Sequence, residues 1–138
     1  MYYEYKKENS IQIPEPYKRK ITPVFMGDDD MITETNFSVH LTEWEPGCEI
    51  DEHSHPDGME AMYLMSGHGI AYIDGKEYEF QPDTMIVAPK GVSHKIVNTG
   101  NETLRVLCVF SPPVTGNSLR KRALQAVEQQ DQDTETIS

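Results

Sequence analysis

The chain has 138 residues and carries 12 Lys plus Arg against 23 Asp plus Glu, a formal net charge of −11 at pH 7. This length provides for one domain with one core, and a composition of 37% hydrophobic and 25% charged residues is that of a globular protein. A chain this acidic is a poor match for nucleic acid or an anionic membrane surface, because both are bound through clustered Lys and Arg. We therefore expect no nucleic-acid partner and no membrane partner.

Neither export nor membrane insertion is expected from the sequence. No uninterrupted apolar run reaches the length of a bilayer span, and the N-terminus lacks an apolar signal core. The two cysteines, Cys48 and Cys108, provide no disulfide framework. A single bridge is compatible with the sequence, but two reduced thiols fit better. We expect a cytoplasmic protein.

The first predicted unit is an N-terminal arm, residues 1–34. Its first 20 residues are rich in tyrosine and charge, and Pro14 and Pro16 prevent a helix there. An acidic turn follows at residues 27–30. We expect this arm to be extended and to lie outside the main domain.

The second predicted unit, residues 35–113, consists of short strands. From Phe37 onwards apolar residues alternate with polar ones, which is the period of a strand. The Asp74-Gly75 pair between two strand-like segments predicts a tight hairpin. Further strands are predicted at residues 60–65, 69–73, 76–80, 85–88, 94–98 and 104–110. Many short strands with turns between them are typical of a β-sandwich or barrel.

The third predicted unit, residues 114–138, is a short helix with a polar tail. Pro112-Pro113 ends the strand region. Leu119, Ala123 and Ala126 then recur at helical spacing.

Four residues of the central unit form a candidate metal site. In His53-Ser54-His55 the two imidazoles would lie on one face of a strand, roughly 7 Å apart. The turn-forming residues 56–58 return the chain so that Glu60 joins them. A third imidazole, that of His94, comes from a later strand. A lone His-x-His is weak evidence, so the complete set of four carries the prediction.

Three imidazoles and one carboxylate suit a divalent transition metal. We expect one ion per chain, with iron or manganese favoured and nickel, cobalt, copper or zinc as alternatives. Four protein ligands in an octahedral shell would leave two adjacent positions for substrate, water or dioxygen. Closed structural zinc sites more often include cysteine, and neither cysteine is at ligand spacing from these histidines.

The spacing of these residues resembles the first motif of the cupin family. Gly47 is followed by five residues, then by His53 and His55, and Glu60 comes four residues later. Six further residues lead to Gly67. Every fixed position of that motif is met.

The second cupin motif is also present, with one departure. Pro89, Gly91, His94 and Asn98 fall at its fixed positions, while Asp83 stands where the family has its first glycine. Aspartate tolerates positive φ better than most residues. The resemblance, over roughly residues 36–113, is to the small single-domain microbial cupins. It implies an all-β fold, an antiparallel jelly-roll (double-stranded β-helix) barrel, with a metal ion near one mouth held by His53, His55, Glu60 and His94.

Alternation along the strands predicts which side chains surround this site. Met62 and Leu64 should face the same way as Glu60, and Ile96 the same way as His94. These three side chains are the predicted lining of a substrate pocket for a small molecule.

The sequence identifies no general base for a reaction at this site. Tyr72, His40 and a metal-bound water are the candidates. The alternation around His40 places its side chain either in solvent or in a contact between sheets.

Three functions are compatible with such a barrel, because the cupin fold does not choose a reaction. The first in rank is a dioxygenase acting on a small organic substrate, since methionine-rich surroundings suit a weakly polar compound. The second is a metal-assisted isomerase, decarboxylase or lyase. The third is a non-catalytic module that binds a small molecule.

Two strands, residues 70–73 and 104–110, are apolar on both faces, which predicts cover on the outside of the barrel. We expect a homodimer to supply that cover, either with or without exchange of residues 1–20 between the protomers.

Overall fold

The computed structural model describes residues 2–13, 19–26, 35–48 and 53–114. Within them, nine strands follow a single 3₁₀ turn, Lys7–Asn9. The strands are β1 (Ile11–Ile13), β2 (Arg19–Phe25), β3 (Ser38–Trp44), β4 (Met59–Ser66), β5 (Gly69–Ile73), β6 (Lys76–Phe80), β7 (Met85–Ala88), β8 (His94–Val97) and β9 (Leu104–Ser111).

The strands form two antiparallel sheets. The larger has the order β1-β2-β3-β9-β4-β7, and the smaller has the order β6-β5-β8. An isolated bridge between His53 and His94 extends the edge of the smaller sheet. The predicted all-β, antiparallel barrel class is confirmed.

The main core lies on the inner faces of the two sheets. Along β9 every second residue is buried, from Leu104 to Phe110. This is the alternation expected of a strand with one face on the core. The buried core residues are Trp44, Cys48, Met62, Leu64, Ala71, Phe80, Ile86, Ala88, Ile96, Leu104, Val106 and Cys108.

The turn between β5 and β6 matches its prediction. Asp74 and Gly75 have φ angles of 51° and 77°, so both central residues of the two-residue loop lie in the left-handed region. This backbone twist joins antiparallel strands tightly, which is why Asp-Gly is found there.

The N-terminal segment differs from its prediction as an arm outside the barrel. β1 pairs with β2, and β2 pairs along β3, so both extend the larger sheet. The strand pattern of β2 is concealed by its basic start and by Pro23, where the pairing with β3 shifts register. Tyr3 packs against Phe25 of the same chain at 5.0 Å between ring centroids. The segment thus contacts its own barrel.

The outer face of the larger sheet exposes apolar side chains on β4 and β7. Met65, Met85 and Val87 are 44%, 57% and 43% exposed.

The predicted C-terminal helix and tail lie outside the described residues, apart from Val114. Among the described residues, no helix is long and apolar enough to cross a membrane.

Candidate metal centre

The backbone brings the two histidine-bearing segments together. The amide of His53 donates to the carbonyl of His94 at 3.0 Å, and the amide of His94 donates to the carbonyl of His53 at 2.8 Å. The amide of Gly91 donates to the carbonyl of His55 at 2.9 Å. These bonds fix both segments at one end of the barrel.

The three imidazoles cluster at this end. Ring centroids are 4.2 Å apart for His53 and His94, 5.0 Å for His53 and His55, and 5.2 Å for His55 and His94. One ring nitrogen from each residue lies within 4.8 Å of the corresponding atoms of the other two. Three converging nitrogen donors are a suitable set for a divalent transition metal.

Glu60 on β4 faces the same point. Its Oε1 lies 3.6 Å from Nε2 of His94, and its Oε2 lies 4.0 Å from Nε2 of His55. The residue is buried, with 7% of its surface exposed. The structure thus gathers the four predicted ligands at one place, and metal binding by them stays a prediction.

The charges of the site stabilise each other. Burial alone would raise the pKa of Glu60, but the hydrogen bond with His94 and the charges of His40, His55 and His94 outweigh it and lower that pKa. Burial alone would lower the pKa of His94, but Glu60 and the carbonyl of Val92 raise it. Without a metal, the pair therefore favours an ionised carboxylate beside a protonated imidazole.

A backbone contact orients the ring of His94. Its Nδ1 lies 3.2 Å from the carbonyl oxygen of Val92. Because a carbonyl oxygen only accepts hydrogen bonds, Nδ1 carries the hydrogen. This leaves Nε2 directed towards Glu60 and free of competing backbone groups, an arrangement typical of metal-binding histidines.

The three predicted pocket residues all face the barrel interior. Met62, Leu64 and Ile96 are 2%, 0% and 2% exposed and belong to the main core. Their contact with a substrate stays a prediction.

The two side chains among the candidates for a general base lie in different places. Tyr72 pairs with Lys95 and follows Ala71, which is completely buried, so Tyr72 projects from the opposite, outer face of β5. The structure therefore separates Tyr72 from the three imidazoles.

His40, by contrast, lies inside. It is 4% exposed, and its ring stacks on Phe110 at 5.4 Å with an interplanar angle of 19°. Of the two predicted positions, burial excludes the one in solvent. The alternating polar residues of β3 face the inside of the barrel. Ser38 and Thr42 are buried on the same face.

In the second motif, Asp83 and Asn98 have the conformation and the hydrogen bonds expected of their positions. Asp83, at the position of the missing glycine, has a φ of 66°. Asn98 donates to the carbonyls of Trp44 and Glu102 at 3.1 and 2.9 Å and accepts from the amide of Gly100 at 3.0 Å. Asn98 is therefore a hydrogen-bonding residue of the scaffold.

A family model for the cupin domain matches residues 40–110. The chain belongs to the cupin family. The matched range contains both motifs and all four predicted ligands of this cupin.

Several relatives of this cupin are ectoine synthases. The L-ectoine synthase of Vibrio campbellii is 32% identical over 94 residues, which cover 67% of this chain and 70% of that protein. The ectoine synthase structure from P. lautus has a TM-score of 0.70 at 22% identity, covering 88% of this chain and 86% of that one. A predicted oxalate decarboxylase from Thermotoga maritima has a TM-score of 0.72 at 20% identity, covering 81% and 99%. Below 25% identity these two structures show the fold alone.

Proposed function

We propose that this cupin is a metal-dependent enzyme of the lyase class that acts on a small organic molecule without net oxidation. The observation that carries the proposal is the sequence similarity to L-ectoine synthases, whose reaction is of the lyase or hydrolase type. This similarity supports the second-ranked function above, the metal-assisted isomerase, decarboxylase or lyase, over the first-ranked dioxygenase.

In the proposed enzyme, His53, His55, Glu60 and His94 hold one divalent ion. The donor set fits such an ion, because three ring nitrogens lie within 4.8 Å of one another and the carboxylate faces two of the rings. When bound, the ion supplies Lewis acidity that polarises a substrate oxygen. The identity of the metal is part of the proposal, with iron or manganese favoured.

The protein surroundings of the site would then position the substrate. Phe110 contacts His55 edge to face at 5.0 Å and stacks on His40, so it forms an apolar wall beside the imidazoles. Met62 lies two residues from Glu60 on the same face of β4. This wall excludes water from one side of the site, which strengthens electrostatic interactions there.

Activity under argon tests this proposal. The metal-loaded protein is incubated with L-ectoine, to follow the reverse reaction, and with small acids that carry an amide, hydroxyl or carbonyl group. Proton NMR reports the products. We expect a product without oxygen consumption, and its loss in Glu60→Gln and His94→Ala. The matched control is His68→Ala, because His68 is an exposed histidine.

Two results would contradict the proposal. Turnover that requires oxygen would return the dioxygenase to first place. Tight binding of a small molecule with no product from any compound would favour the non-catalytic module.

A further inference from the structure

A second cluster of ligand-type side chains lies inside the barrel next to the three imidazoles. It consists of His40, Glu60 and Cys108, which are 4%, 7% and 3% exposed. One ligand atom from each residue lies within 4.8 Å of the others. Glu60 is the member that also faces His55 and His94.

The strand register builds this cluster from three adjacent strands. His40 of β3 is the direct partner of Cys108 of β9, so their side chains leave the sheet side by side on its inner face. Cys108 is in turn the partner of Met62, and Glu60 is two residues before Met62 on the same face of β4. The three side chains are therefore held by the central part of the larger sheet.

We propose that His40, Glu60 and Cys108 form a second position for a divalent cation, one that includes a sulfur ligand. A set of imidazole, carboxylate and thiolate suits zinc, cobalt or copper. When the ion binds, the Cys108 thiol releases its proton to solvent and the sulfur forms the metal bond. When only this position is filled, the carboxylate and the thiolate together balance the charge of the ion, which a buried site requires.

The three ligand atoms are near one another but must move closer to accept an ion. Ligand atoms around a tetrahedral zinc are about 3.5 Å apart, which follows from bond lengths of roughly 2.0–2.3 Å. The ligand atoms of His40, Glu60 and Cys108 lie within 4.8 Å of one another, so the longer of these distances must shorten when an ion binds. The ring of His40 is already oriented by its stacking on Phe110, and Oγ1 of Thr42 lies 3.8 Å from the sulfur of Cys108. Three protein ligands leave a fourth position open for a water or a ligand.

Sulfur distinguishes this position from the predicted metal centre, whose four ligands are nitrogen and oxygen donors. Cobalt(II) is therefore added to the metal-free, reduced full-length protein under argon. A sulfur-to-cobalt charge-transfer band in the near ultraviolet reports ligation by cysteine. We expect the band in the wild-type protein and its loss in Cys108→Ser.

The second buried cysteine provides a matched control. Cys48 is 5% exposed and is not a member of the cluster, so Cys48→Ser should retain the band. His53→Ala should also retain it while losing cobalt from the predicted centre. The charge-transfer band and the enzyme activity are therefore separate readouts. Either one can be absent while the other is present.

Three results would overturn the inference. They are absence of the band in the wild-type protein, its persistence in Cys108→Ser, and its loss in Cys48→Ser. Circular dichroism and thermal unfolding establish that each variant is folded, and Cys108→Ala replaces Cys108→Ser if the serine variant is not.

Discussion

The Nε2 atom of His94 lies 3.6 Å from Oε1 of Glu60, and this contact joins a residue of the smaller sheet to a residue of the larger one. The site therefore lies between the two sheets, and its geometry depends on how they pack. In the absence of metal the contact is an ion pair, because Glu60 has a lowered pKa and His94 a raised one.

This pair predicts how the stability of the metal-free protein depends on pH. The raised pKa of His94 adds to the free energy of unfolding. This addition is complete below the ordinary pKa of 6.5 and is lost as the pH rises through the raised pKa. The contribution of Glu60 is present above its ordinary pKa of 4.5 and is lost as the pH falls through its lowered pKa. We expect the metal-free protein to be most stable at a pH between these two ordinary pKa values. Thermal unfolding at a series of pH values measures this stability. Glu60→Gln should weaken the decline above neutral pH; an unchanged profile in that variant would contradict the assignment.

Metal should stabilise the folded protein through the three imidazoles. At a free metal concentration one hundred times the dissociation constant, binding adds about 2.7 kcal/mol to the free energy of unfolding. We expect His53→Ala to lose this increment, as seen by thermal unfolding with and without metal. His68→Ala is the control, because His68 is exposed in the turn between β4 and β5. The ligand assignment fails if His53→Ala gains as much stability from the metal as the wild-type protein.

Gly67 should tolerate a side chain much less well than Gly75. Both have positive φ angles, 96° and 77°, so alanine at either position costs about 1–2 kcal/mol in backbone strain. A Cβ at Gly67 would also lie 2.8 Å from the carbonyl oxygen of Thr103, whereas nothing lies within 4 Å at Gly75. We expect the free energy of unfolding of Gly67→Ala, measured with urea, to fall by a further amount of about 1–3 kcal/mol. Equal losses in both variants would show that the backbone at Thr103 moves aside freely.

The exposed apolar residues of β4 and β7 are where we expect the two protomers of a homodimer to meet. Met65, Met85 and Val87 provide an uncharged patch on a protein with a net charge of −11. These uncharged side chains add no charge repulsion between copies, and a stable interface needs roughly 800 Å² from each partner. Light scattering should give a dimer mass for the wild-type protein and a monomer mass for Val87→Lys. Tyr78→Lys, on the edge strand β6, should stay a dimer. A monomeric wild-type protein at micromolar concentration would refute the dimer.

The strands from β3 to β9 could be predicted from the sequence because local signals mark them. Alternation identifies the strands, and residues such as Asp74 and Gly75 have the conformational freedom that the turns between them need. β1 and β2 carry no such signal. β1 is three residues long, and Pro23 interrupts β2, so their pairing depends on contacts with the rest of the sheet.

The grouping of the four candidate ligands was also predictable, since their spacing matches two family motifs. The direction of His40 and its position beside Cys108 were not. They depend on the register between β3 and β9, which pairs residues far apart in the chain. A single sequence shows that Ser38, His40 and Thr42 share one face, but not that this polar face is the inner one.

Metal analysis of the purified, untagged protein tests the central claim most directly. The protein is produced with a mixture of trace metals, kept anaerobic, and compared with His94→Ala and His68→Ala. The account predicts at least about one divalent transition metal ion per chain in the wild-type protein and in His68→Ala, and a metal content lower by about one ion per chain in His94→Ala. A folded wild-type protein without metal, or an unchanged metal content in His94→Ala, would contradict it.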